Sequence, residues 1–208
     1  MAFPNAYVST DEPPGRSWTR SALCILAIVG VGYFGAIILA LSFATGLYNP
    51  VTQFASDYGV GVYGPEMNSG FILAGIGVVS LSAAVLSSEM QRVQKAGGAL
   101  LLFAGLALLA SGCFQTDLEG AAPTLHGAVH NTAGVIFFLT SPVGLALITW
   151  GFGLRRFVVT LGAFILGGAL AVANSSLNLN ATGLSERVVI LFVFSSLIFT
   201  AVSAFRQA

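Results

Sequence analysis

The sequence predicts an all-α membrane protein: a six-transmembrane-helix bundle with an interfacial outer segment between the first two spans. Three observations predict it. Of the 208 residues, 56% are hydrophobic and only 8% are charged, against roughly 25% charged in soluble domains. So little charge could not wet the surface of a soluble fold. The apolar residues are gathered in six runs, several near the lower limit of about 17 residues that crosses a bilayer. The eight basic residues also sort by loop, as charges flanking membrane helices do. In lipid every backbone group must be satisfied within its own segment, so the runs are helices. They lack the short alternating pattern of a membrane barrel.

In chain order, residues 1–20 are polar and contain Pro4, Pro13 and Pro14; they read as a cytoplasmic N-terminal tail, with residues 21–205 as the transmembrane domain. Ser21–Gly46 is free of charge and too long for the apolar core of a signal peptide, so it is a retained span. Leu47–Asn68 is too polar and Gly-rich to cross. Its aromatics, among them Phe54, Tyr58 and Tyr63, suit the membrane interface, where the segment would roof the bundle, partly as a short helix. Ser69–Leu86 carries Gly70, Ala74 and Gly77, small residues that let helices approach closely. Ser88–Lys95 is a solvated connection, followed by the third span, Gly97–Cys113. Leu125–Trp150 contains Pro142, which removes a donor and would kink that helix. Phe157–Ala173 carries Gly162, Gly167 and Gly168, again suited to packing. The polar stretch Asn174–Asn180 reads as a helix end and loop, and Glu186 with Arg187 as an interfacial pair or water-facing charges. Val188–Ala204 is the sixth span.

Six spans put both termini on one side, together with Arg16, Arg20, Arg92, Lys95, Arg155, Arg156 and Arg206; the other side holds only Arg187. Positive charge marks the cytoplasmic side, which predicts an integral inner-membrane protein with both termini cytoplasmic. Net charge is zero, so no field favours nucleic acid. Cys24 and Cys113 lie in apolar runs and read as small buried hydrophobes; no C-x-x-C pair suggests redox chemistry.

Short motifs stand on the outer side: Ser56-Asp57-Tyr58-Gly59, then Tyr63-Gly64 and Met67-Asn68, and later Phe114-Gln115-Thr116-Asp117 followed by Leu125-His126-Gly127 and His130. Together they resemble the prokaryotic integral membrane family called domain of unknown function 998, over nearly the whole chain. In that family's pattern a proline often stands where Gln115 stands here, a departure that touches the turn more than any chemistry. The resemblance implies six helices and an outer-face polar cluster, and no reaction.

The chain's two histidines, His126 and His130, are spaced i, i+4, which puts them on one helix face about 6 Å apart. That spacing suits two ligands of one metal ion. Asp117 from the preceding loop would be a third, leaving one position of a zinc ion open for water. His126 opens its helix, where the dipole disfavours a protonated ring. Asp57 or Glu66 would serve as general base. This makes the protein a metal-dependent hydrolase of a lipid or other amphiphile, with the bilayer and a lipid substrate as its partners. The alternative is a non-catalytic membrane subunit or a lipid-binding protein, alone or beside other subunits, whose polar cluster ties loops to the bundle. In both readings Asp57, Asp117, His126 and His130 converge on one outer-leaflet cavity, with Asn174 or Asn178 near its wall. Haem is a poor fit, because an i, i+4 pair cannot approach one iron from opposite sides. No Gly-x-Ser-x-Gly elbow marks a serine hydrolase. An ion-coupled carrier would want charge or a broken helix near mid-membrane, and the only strong breaker is Pro142.

Overall fold

The computed structural model describes residues 14–44, 48–118, 120–150, 152–177 and 179–207. Gly46, Leu47 and Asn178, named above, fall outside them, as does the tail up to Pro13. The described residues form six α-helices and one short 3-10 helix: α1 Pro14–Ala44, the 3-10 turn Ala55–Gly59, α2 Gly64–Leu86, α3 Arg92–Cys113, α4 Leu125–Trp150, α5 Leu154–Leu177 and α6 Thr182–Phe205. Five are long and apolar enough to cross a membrane: α2, α3, α4, α6 and the Trp18–Phe43 part of α1. In α5 the apolar stretch is Phe164–Asn174.

Most helices run a turn or so beyond the apolar runs that announce them. α1 starts at Pro14 rather than Ser21, because arginine and serine propagate a helix once it leaves the apolar layer. α2 starts at Gly64, with Pro65 in its first turn, where its missing N–H costs nothing. α4 continues through Pro142. Gln91 and Gln94 cap α3 reciprocally, and Gln94 is buried, its amide donating to the Ile148 carbonyl of α4 at 3.2 Å. This glutamine of the supposed solvated connection thus joins two helices.

The helices follow one another in a ring, α1 against α2, α2 against α3, α3 against α4, α5 against both α4 and α6, and α6 back against α1. Small residues set the closest approaches. Gly97 of α3 and Gly144 of α4 each face the other's carbonyl, and Gly77 of α2 lies on the backbone of Ala27 in α1. A side chain at any of these would push two backbones apart. The same role fails in α5: Gly162 and Gly168 face open space, and only Gly167 meets α6, at Val189. A core of buried apolar residues, with Val31, Phe34, Val78, Leu101, Leu145 and Leu197 among the most enclosed, fills the ring. Large apolar side chains such as Val29, Leu39, Phe103, Leu139 and Leu191 point outward. Apolar side chains all round a helix bundle are the surface of a protein dissolved in lipid.

Candidate functional site

Across the ring, α6 touches α4 and α2 only sparsely. The space this leaves is a cavity of about 540 Å³ at one end of the bundle, bounded by α1, α2, α3, α4, α6 and the segment 52–57. The C-terminal ends of α1, α3 and α5 and the N-terminal ends of α2, α4 and α6 meet at this end.

The deeper wall is aromatic. His130 of α4 stands edge-on to Phe71 of α2 at 5.5 Å between centroids. Phe71 packs on Phe34 of α1 at 4.8 Å, Phe34 stacks on Phe194 of α6 at 5.0 Å, and Phe194 meets Phe137 of α4 at 5.8 Å. All of these line the cavity, as do Phe138 and Ile190. Ring pairs at these separations add cohesion beyond the area they bury.

The mouth is polar, and each of its groups is held by a different element. Asp117 sits between α3 and α4 and accepts from Thr124, its Oδ2 from the backbone N–H at 2.8 Å and its Oδ1 from the hydroxyl at 2.7 Å. The Thr124 oxygen accepts in turn from the Gly127 N–H at 3.1 Å, capping the first turn of α4. The backbone bond from Thr124, then the hydroxyl bond, hold the Asp117 carboxyl below its ordinary value, because both stabilise the ionised form. A Cβ on Gly127 would run into that carboxylate. His130, one turn along α4, turns Nδ1 to the carbonyls of Ser111 at 3.0 Å and Phe114 at 2.9 Å. Two carbonyl partners require Nδ1 to carry the proton, so a neutral ring has its lone pair on Nε2. Nε2 makes no hydrogen bond to the described residues.

The segment between α1 and α2 forms the roof, and it is fastened to α6. The Ala55 N–H donates to Glu186 Oε2 at 2.6 Å. Arg187 donates through Nη1 to the Gln53 carbonyl at 2.8 Å, and the Leu184 N–H donates to the Val51 carbonyl at 3.0 Å. Arg187 also lies over the Tyr58 ring, 5.6 Å from its centroid. The pair read from sequence as interfacial or water-facing thus becomes the clasp between roof and bundle. Tyr58 is fully buried rather than at the interface, edge-on to Tyr48. Motif residues build this roof: Gly59 and Gly64 abut, and Asn68 Nδ2 donates to the Gly59 carbonyl at 3.2 Å.

Of the residues singled out from sequence, Asp57, Asp117 and His130 line the cavity. His126 and Glu66 are exposed and are not among its lining residues; the His126 ring lies against Phe114 at 5.3 Å. Asn174 is not in the wall but one bond behind it, donating to the hydroxyl of Thr182, which is. Among the described residues, no group of three or more His, Cys, Asp or Glu side chains is gathered so as to hold a metal ion. Cys24 is buried as expected, while Cys113 is exposed at the end of α3. Glu186 also lines the cavity. A carboxylate opening an apolar run on the same side as Asp57 was the one sign of it in the sequence.

No curated protein and no solved structure matches this chain significantly. A family model does, over residues 16–203, a range that takes in both motif clusters, the roof and all six helices save the outer two residues of α1 and of α6. The chain therefore belongs to the family described as "Protein of unknown function (DUF998)".

Proposed function

We propose that this is an integral inner-membrane protein of six spans, with cytoplasmic termini, that binds a lipid or other amphiphile at the outer leaflet. The observation that carries the reading is the two-part lining of one cavity, aromatic in its depth and polar and acidic at its mouth. Ligand sites combine mainly apolar walls with a few placed polar groups, within about 300–1,000 Å³. The roofed end faces outward because seven of the eight basic residues belong to the opposite end.

Gly134 tests the reading. It lines the cavity, and a Cβ added there meets nothing within 4 Å. A larger side chain there starts without a clash at Cβ, so Gly134→Leu is chosen to occupy the space. In phosphatidylcholine nanodiscs, corrected against empty discs, the variant should bind a tritiated dodecyl amphiphile at least about tenfold more weakly at unchanged thermal stability, since a filled pocket has no room for the chain. Wild-type binding by the variant would overturn the proposal.

A second reading is favoured by the fixed tautomer of His130. An Nδ1–H held by carbonyls and a free Nε2 is how metal-bound imidazoles are oriented. In this reading Asp117, His126 and His130 would hold a zinc ion, which would supply an activated water, and Asp57 or Glu66 would take that water's proton as the bound amphiphile is hydrolysed. His126 would have to swing from Phe114 toward His130. Elemental analysis after chelator-free purification tests it: stoichiometric zinc in wild type, lost in His126→Ala/His130→Ala, supports hydrolysis. A metal-free wild-type protein leaves the binding reading alone.

A further inference from the structure

Resting on the amphiphile-binding reading, we infer that the polar end of the ligand is a cation with N–H donors, a primary ammonium group. Three carboxylates, Asp57, Asp117 and Glu186, line the mouth, and no Lys or Arg is among the lining residues described. The nearby guanidinium of Arg187 carries one positive charge, so it offsets one of those carboxylates at most; its Nη1 donates to the carbonyls of Gln53 and Gly183. Acidic groups therefore outnumber basic ones around the mouth, in a site walled by hydrocarbon where charge is poorly screened.

An independent observation points the same way. His130 is only 6% exposed and lines the cavity, and Nδ1 is committed to two carbonyls, so in the neutral ring the remaining nitrogen is an acceptor. An acceptor beside carboxylates suits an ammonium, which has three donors and no acceptor capacity. An anionic head would meet repulsion from the carboxylates. A neutral hydroxyl head would gain nothing from their charge.

The test uses full-length protein in phosphatidylcholine nanodiscs at pH 8.5, with dodecylammonium, dodecanol and dodecyl sulfate as probes, each corrected against empty discs. Dodecylammonium should bind at least about tenfold more tightly than either of the others. Glu186→Gln keeps an acceptor for the Ala55 N–H but removes the charge; it should weaken dodecylammonium about tenfold and leave dodecanol unchanged. A merely structural role for Glu186 would weaken all probes alike, and that result overturns the inference. Equal binding of the three probes by wild type, which needs no variant to fold, overturns it too while leaving the amphiphile reading intact. No binding of any probe overturns the amphiphile reading itself.

Discussion

At the scale of single residues, the two histidines divide the work that their spacing suggests they share. His130 is enclosed and supplies the donor for two carbonyls at the C-terminal end of α3, Ser111 and Phe114, which the helix cannot satisfy itself. His126, one turn earlier, is exposed on Phe114. His130→Ala should therefore lower stability by about 1–3 kcal/mol, the cost of orphaned buried polar groups. His126→Ala should stay within about 0.5 kcal/mol of wild type, as exposed substitutions do. Thermal or denaturant unfolding in detergent decides it, and equal losses would show that the two rings are equivalent. Asp117 and Gly127 are a matched pair of the same kind. The carboxylate reaches Thr124 only because residue 127 has no side chain in its way. Asp117, Thr124 and Gly127 thus read as a capping device, whatever else the site does.

At the scale of elements, the roof packs on its sequence neighbour α2 and is also tied across the bundle to α6. Its anchors are the bonds from Ala55 to Glu186, from Arg187 to Gln53 and from Leu184 to Val51. Gly183 makes the approach possible: a Cβ there would press on the carbonyls of Gln53 and Pro50. Gly183→Ala should cost about 1–3 kcal/mol, as overpacking does. It should also speed amide exchange at Leu184 and Ala55, which lose their carbonyl and carboxylate partners. Hydrogen exchange by mass spectrometry checks this, and unchanged protection across 50–57 would mean that the roof is held elsewhere. α5 shows the other extreme. It contacts only α4 and α6 to any extent, and two of its glycines face open space. Small residues in an apolar run permit close packing, but whether a partner is there depends on the ring.

At the scale of the whole molecule, the ring α1 to α6 leaves its space at one end, and every loop that is rich in acidic and short in basic residues gathers there. The proposed orientation makes that end the outer one. In a Cys113→Ala background, Ala122→Cys should react with a membrane-impermeant maleimide added to intact cells, and Arg92→Cys should react only after lysis. Labelling of Arg92→Cys and not Ala122→Cys in intact cells would invert the protein.

The sequence by itself determined the solvent, the helices and the family. Those properties are local or compositional: apolar runs must be helical in lipid, and the two motif clusters carry the family likeness. α4 is legible to its last residue, Trp150, because helix and apolar run coincide. Asp57, Asp117 and His130 stood out in the sequence because polar groups are scarce in an apolar chain, and all three line the cavity. Only the tertiary structure decided which of the polar residues line one space. An i, i+4 pair shares a helix face in sequence, yet His126 and His130 part company because a face one turn from the helix start is half in the core and half outside it. Glu186 enters the site from another helix, brought there by the closure of α6 onto α1, and Tyr58 is buried by the clasp between roof and α6. Such placements depend on contacts between residues more than a hundred positions apart, and no periodicity within a segment encodes them.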